Sequence, residues 1–128
     1  MIAADTSVWI EFLRGKEPFL SRLRNLLEEE EILAPECVFG ELLQGVRDSR
    51  EMELVSAYWR NLPKLPVEEP FIKAGILSCH QRWLSMGIGL IDGCLIAFAR
   101  EAGCRIWTLD KKLLAVLEPS ERYGADTV

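Results

Sequence analysis

Positive charge is scarce in this 128-residue chain: 15 lysines and arginines stand against 20 acidic residues, for a net charge of −5. Proteins that hold nucleic acid by general neutralisation of its phosphates are normally basic, so the composition argues against that class of binding protein. A bound metal ion would nevertheless supply positive charge at the site that contacts the substrate. Nucleic acid therefore stays open as a substrate.

The chain also has only one histidine and no closely spaced pair of cysteines. The single histidine, His80, falls in a predicted helix, far along the sequence from the acidic residues considered below. Histidine-based acid–base catalysis is therefore not indicated. No two cysteines form a C-x-x-C pair, which argues against a zinc site and against a disulfide framework. We expect buried free thiols at the four positions, Cys37, Cys79, Cys94 and Cys104.

The chain has no apolar run of membrane-spanning length, and its N-terminus lacks the basic segment of a signal peptide. These absences predict a cytoplasmic protein without a membrane partner. Linkers, repeats and low-complexity segments are missing too. Hydrophobic residues make up 49% of the chain and charged residues 27%, as in globular proteins. Residues 1–128 are expected to form one domain.

Short apolar runs alternate with helical patterns along the chain. Strands are predicted at the N-terminus up to residue 4 and at 32–34, 65–67 and 105–109, with a weak edge strand after residue 119. Helices are predicted at 6–13, 17–30, 36–46, 50–62, 68–86, 92–103 and 111–117. This alternation predicts an α/β fold with three α/β/α layers around a parallel sheet of about five strands.

Four acidic residues stand out by position. Asp5 and Asp110 each follow a predicted strand, where open parallel sheets bind their ligands. Asp92 is predicted to open an apolar helix, and Glu41 lies among apolar residues of another helix. As structural residues, the three aspartates could be helix caps or turn residues. Glu41 is harder to explain in that way, because charged side chains are rarely buried without a partner.

If the four carboxylates converge, each pair about 5 Å apart repels by about 3 kcal/mol at an effective dielectric constant of about 20. A divalent cation removes this conflict, and an all-oxygen site suits Mg²⁺ or Mn²⁺. Such a cation activates water and neutralises charge on a phosphate, which favours phosphodiester hydrolysis. Thr6 and Thr108 are placed to hydrogen-bond the carboxylates or a phosphate.

The acidic residues lie in four segments that resemble the motifs of PIN-domain ribonucleases, specifically the VapC toxins of prokaryotic toxin–antitoxin pairs. The segments are IAADTSVWI at 2–10, GELLQG at 40–45, LIDGCLIA at 90–97 and WTLD at 107–110. The resemblance extends from residue 1 to about residue 117.

The resemblance implies a PIN-like domain with a five-stranded parallel sheet and Mg²⁺- or Mn²⁺-dependent cleavage of RNA. It also implies dimerisation and inhibition by a small cognate antitoxin. Asp5, Glu41, Asp92 and Asp110 match the acidic positions of the family, and Thr108 matches its hydroxyl residue.

Two alternatives stay open beside the enzyme: a non-catalytic α/β binding module and a phospho-accepting receiver domain. A receiver needs a second acid beside the first-strand acid, and the sequence Ala4-Asp5-Thr6 provides none.

Two partner predictions follow. The antitoxin is expected to lay an amphipathic segment across the acidic residues, with an Arg or Lys reaching the carboxylates. A homodimer through helices of the N-terminal half is expected because the large apolar side chains there are more than so small a core is expected to hide. The side chains in question are Trp9, Phe12, Phe19 and Trp59.

Overall fold

A computed structural model describes residues 1–124 of the chain. The strands are β1 (Ile2–Ala4) and β2 (Arg105–Trp107). The helices are α1 (Thr6–Leu13), α2 (Phe19–Glu28), α3 (Glu36–Gln44), α4 (Ser49–Asn61), α5 (Pro70–Gln81), α6 (Leu90–Ala102) and α7 (Lys111–Val116). Single 3₁₀ turns occupy Trp83–Met86 and Pro119–Glu121. The last four residues of the predicted domain, 125–128, lie outside the described part.

The sheet is parallel, as predicted, but much smaller than expected. β1 pairs with β2 in the register Ala3 to Ile106, and both strands are almost entirely buried. Ile32 adds one bridge beside β1, and Arg122 adds one beside β2. The prediction of an α/β fold is therefore confirmed, whereas five full strands are not found within residues 1–124.

The strand predicted at 65–67 is wrong. This segment is irregular: Pro66 lies within it and Pro63 lies two residues before it, and proline lacks the N–H group that a sheet ladder requires. Its neighbourhood is tied to the sheet by one hydrogen bond of 3.0 Å, which the Ala34 N–H donates to the Pro63 carbonyl.

The long helix predicted over 68–86 is interrupted. α5 ends at Gln81, and Arg82 adopts a left-handed conformation with φ of 57° before the 3₁₀ turn. The turn buries Trp83 and leaves Leu84 81% exposed. Burial of the larger aromatic ring therefore overrides the helical period.

The large aromatic side chains of the N-terminal half belong to the core of the single chain. Trp9 is 1% exposed, and its ring packs edge-on against Phe12 and Phe39 and, tilted, against Tyr58. Phe19 and Trp59 are partly buried against the same core. Trp9 and Phe12 are therefore hidden within the single chain and do not argue for a dimer, whereas Phe19 and Trp59 are only partly covered.

Among residues 1–124, no helix is long and apolar enough to cross a membrane. The four cysteines are free, as predicted, but only Cys94 and Cys104 are buried, whereas Cys79 is exposed and Cys37 is intermediate.

Candidate active site

Two of the four acidic residues are brought together by the pairing of the strands. Asp5 directly follows β1 and caps α1, and Asp110 follows β2 after two residues and caps α7. Since β1 and β2 are parallel neighbours, their carboxyl ends meet at one edge of the sheet. The pairing continues past β1, because the Asp5 N–H donates to the Trp107 carbonyl at 2.9 Å.

The Asp5 carboxylate is 8% exposed and is held by hydrogen bonds on both oxygens. Oδ1 accepts from the Ser7 hydroxyl at 2.5 Å and from the Val8 N–H at 3.2 Å, and Oδ2 accepts from the Thr108 hydroxyl. Burial raises the pKa of Asp5, and the bonds from these donors oppose that rise without cancelling it. The helix-cap and active-site interpretations of Asp5 are therefore compatible.

Each of the two hydroxyls is in turn held by a backbone amide. The Leu109 N–H donates to Ser7 Oγ at 3.2 Å, and the Asp110 N–H donates to Thr108 Oγ1 at 3.0 Å. We call this arrangement of Asp5, Ser7, Thr108 and the two amides the Asp5 network. It joins the ends of β1 and β2 through side chains.

Glu41 lies on α3 and is exposed, so the expectation that it is a buried charge among apolar residues is wrong. Its apolar neighbours turn to the other side of the helix, where Leu42 is buried. The Glu41 carboxylate accepts a hydrogen bond of 2.7 Å from the Thr6 hydroxyl. Because Thr6 directly follows Asp5 in the chain, this bond holds Glu41 next to Asp5.

Asp92 lies in the first turn of α6 and does not open the helix as predicted. Gly89 occupies the cap position, so the helix begins at Leu90. Asp92 is partly buried, and its pKa is raised, first by that burial and then by the negative charges of Asp110, Glu41 and Asp5. The electrostatic influence of all three acids on Asp92 agrees with the convergence that the sequence predicted.

One cleft of about 380 Å³ collects these groups, and we call it the acidic cleft. Its polar walls are formed by Asp5, Thr6, Ser7, Glu41, Asp92 and Asp110. None of its four acidic residues forms an ion pair with a cation of residues 1–124. The cleft is thus a concentration of negative charge that the described part of the chain leaves uncompensated.

The donor set fits a hard divalent cation, because it consists of carboxylate and hydroxyl oxygens only. As the side chains stand within residues 1–124, however, no three of them form a group that could hold the ion. Glu41 is engaged by Thr6, and Asp110 accepts from the Lys112 N–H at 2.9 Å. Binding of an ion by three of these residues would therefore require their side chains to rearrange.

A second groove of about 490 Å³ adjoins the acidic cleft and shares Thr6, Ile10 and Glu41 with it. Its apolar floor includes Leu54, which is 47% exposed on α4. We call it the Leu54 groove. Its rim carries Arg14, Arg47 and Arg50 together with Asp48 and Glu51.

The sequence missed one residue of this site. That residue is Ser7, which lines the acidic cleft and donates its hydroxyl hydrogen to Asp5. The available signal was a hydroxyl two positions after a strand-end acid. Its second partner, Leu109, lies 102 positions away and left no trace in the local pattern.

The raised pKa of Asp92 predicts a pH-dependent effect on stability. Below the ordinary pKa of 3.8 the folded chain carries no penalty from this carboxyl, and stability is lost as the pH rises through the folded-state pKa. In EDTA, Asp92→Asn should therefore unfold like the wild type near pH 4 and be more stable than the wild type at pH 8. Urea denaturation measures this difference. Asp48→Asn, which changes a cap outside the cleft, is the control and should show no comparable gain.

Comparison with known proteins agrees with this geometry. Residues 2–118 match the family model described as PIN domain. Ribonuclease VapC32 of Mycobacterium tuberculosis, from two strains, is 33% identical over 121 residues, which cover 94% of this chain and 93% of the relative. These matches favour neither the binding module nor the receiver domain. The chain belongs to the PIN-domain family and, within it, to the VapC-type members.

Proposed function

We propose that the chain is a metal-dependent endoribonuclease and the toxin of a toxin–antitoxin pair, with residues 1–128 as a single domain. The observation that carries this proposal is the acidic cleft, which is lined by four acidic residues that form no ion pair among residues 1–124. The similarity to a protein named a ribonuclease supports the same reaction.

Asp5, Glu41, Asp92 and Asp110 are the groups that would hold Mg²⁺ or Mn²⁺. When bound, such an ion lowers the pKa of a water molecule and stabilises negative charge on the phosphate in the transition state. The cost of bringing four carboxylates together explains why a cation is needed, because like charges in a partly buried cleft repel strongly.

Each residue of the acidic cleft has a separate role. Asp5 presents a fixed carboxylate because both of its oxygens accept hydrogen bonds from hydroxyl groups. Thr108 orients Asp5, and Thr6 orients Glu41. The pKa values of Asp5 and Asp92 are both raised, so a nearby cation favours the charged form of each. Together they align the phosphodiester and the attacking water.

The proposed antitoxin is a small protein with an amphipathic segment. Such a segment has apolar surface available in the Leu54 groove, and a basic side chain at its end would reach the acidic cleft, because the groove and the cleft share three residues. Inhibition would then combine apolar burial with neutralisation of the carboxylates.

We also propose a homodimer, but through α5 instead of through the helices of the N-terminal half. Exposed apolar side chains are concentrated on α5, where Phe71, Ile72 and Ile76 are each more than half exposed. We propose a second copy of the chain as the partner of this face, because a two-fold contact covers the same residues on both copies at once.

The central test is Asp5→Asn, which removes one charge and keeps the shape of the side chain. The variant should lose RNA cleavage by at least about 100-fold. Its melting temperature in EDTA should equal or exceed that of the wild type, because a buried repelling carboxylate is gone. The stabilisation by Mn²⁺, about 2.7 kcal/mol for the wild type at 100 times the dissociation constant, should shrink.

The matched control is Asp48→Asn. Asp48 caps α4 by accepting from the Glu51 N–H at 2.8 Å, in the same way as Asp5 caps α1, but it lies outside the acidic cleft. The control should keep cleavage and the response to Mn²⁺. An Asp5→Asn protein that cleaves RNA at the wild-type rate would remove Asp5 from the mechanism.

The proposed antitoxin path is tested with Leu54→Asp and, as control, Met52→Asp on the same helix. Both side chains are similarly exposed, but only Leu54 lines the groove. Leu54→Asp should weaken binding of the cognate antitoxin at least about tenfold while RNA cleavage is kept, and Met52→Asp should change neither. Calorimetry with the purified antitoxin measures both affinities. Equal affinities would place the antitoxin elsewhere.

The proposed dimer is tested by sedimentation at micromolar concentration. The wild type should sediment as a dimer and Ile72→Asp as a monomer, because the charge would be buried in the contact. Met52→Asp serves again as the control and should remain dimeric. A monomeric wild type would reject the proposal.

A further inference from the structure

We propose that Ser7 is a positioning residue of the nuclease site: its hydroxyl fixes the orientation in which Asp5 meets the metal ion. The inference rests on the proposed function and adds a residue to it. Ser7 is partly buried, lines the acidic cleft and belongs to the first turn of α1.

The bonding of the Ser7 hydroxyl supports this role. A serine hydroxyl has one hydrogen to donate and can also accept. Ser7 gives its hydrogen to Asp5 Oδ1 at 2.5 Å and accepts the Leu109 N–H at 3.2 Å. Both capacities are thus used, and both connect to the site rather than to the core.

A second chain of hydrogen bonds runs parallel to the first. It leads from the Asp110 N–H through the Thr108 hydroxyl to Asp5 Oδ2. Each carboxylate oxygen is therefore tied, through one hydroxyl, to one of two consecutive amides after β2. The Val8 N–H already holds Oδ1 at 3.2 Å, and the Ser7 hydroxyl adds a shorter bond of 2.5 Å to the same oxygen. With the Ser7 bond present, rotation of the carboxylate about its Cβ–Cγ bond must break three hydrogen bonds instead of two, so its plane is held more firmly.

The distribution of these bonds also determines which Asp5 oxygen keeps a lone pair free for a ligand. Oδ1 accepts from both Ser7 and Val8, which occupies its two lone pairs, whereas Oδ2 accepts the bond from Thr108. Ser7 therefore directs a lone pair of Oδ2, rather than of Oδ1, to a ligand in the cleft. Groups that orient a metal ligand in this way commonly change metal affinity by 10- to 100-fold.

A purely structural role for Ser7 would be capping of α1, but that role is already filled. The side chain that accepts the Val8 N–H at the start of the helix is Asp5 itself. Ser7 donates to a carboxylate and accepts from a different segment, so removal of its hydroxyl leaves the cap bond in place. The loss should therefore appear in metal binding and turnover more than in helix stability.

The experiment compares the wild type with Ser7→Ala, Ser7→Thr and a matched control, Ser21→Ala. Ser21 also donates its hydroxyl to a carboxylate, that of Glu17, at 2.6 Å, but on exposed α2, outside the acidic cleft. For each protein, calorimetry without RNA gives the affinity for Mn²⁺, thermal melting in EDTA gives stability, and cleavage of a single-stranded RNA gives kcat and KM.

Ser7→Ala should bind Mn²⁺ about tenfold or more weakly and show a lower kcat, with KM for RNA nearly unchanged. Its melting temperature in EDTA should fall only slightly, because Val8 and Thr108 still hold Asp5. Ser7→Thr should restore both losses because it restores the hydroxyl. Ser21→Ala should match the wild type throughout.

Wild-type Mn²⁺ affinity and kcat in Ser7→Ala would overturn the positioning role while leaving the nuclease proposal intact. A loss accompanied by a lower melting temperature in EDTA and not restored by Ser7→Thr would overturn it as well, in favour of a packing role. A wild-type protein that neither binds Mn²⁺ nor cleaves RNA would instead reject the proposed function, and the Ser7 proposal with it.

Discussion

The structure of the site depends on the hydrogen bonding of one buried carboxylate, that of Asp5. Two hydroxyls and a backbone amide hold it, and two further amides hold the hydroxyls. A buried carboxylate without such partners would cost several kcal/mol. The Asp5 network therefore has two effects. It stabilises a buried carboxylate at the end of β1, and it orients that carboxylate toward the acidic cleft.

The small sheet is sufficient for this purpose. Only two strands of three residues are formed within residues 1–124, yet their parallel pairing brings residues about a hundred positions apart into hydrogen-bonding distance. The helices supply the remaining acids: α3 carries Glu41 and α6 carries Asp92. Burial and, after it, repulsion from the other three carboxylates raise the pKa of Asp92, which connects the packing of the fold with the proposed metal-dependent chemistry.

Features with a local cause were predictable from the sequence. The bounds of α1, the strand-end positions of Asp5 and Asp110 and the end of α6 at Gly103 each follow from a few adjacent residues. Features with a distant cause were not. The burial of Trp83 ended α5 early, the side of α3 that carries Glu41 turned to solvent, and Ser7 found its amide partner across the sheet. Helical periodicity tells which residues share a face but not which neighbour covers it.

The most direct measurement of the central claim is the position of a bound ion. A crystal structure of the wild-type protein with millimolar Mn²⁺, phased to reveal anomalous scattering, locates the metal without reference to activity. The account predicts a manganese peak in the acidic cleft, coordinated by Asp5 and by at least one carboxylate of Glu41, Asp92 or Asp110. A well-ordered cleft without manganese, or manganese bound only elsewhere on the protein, would contradict it.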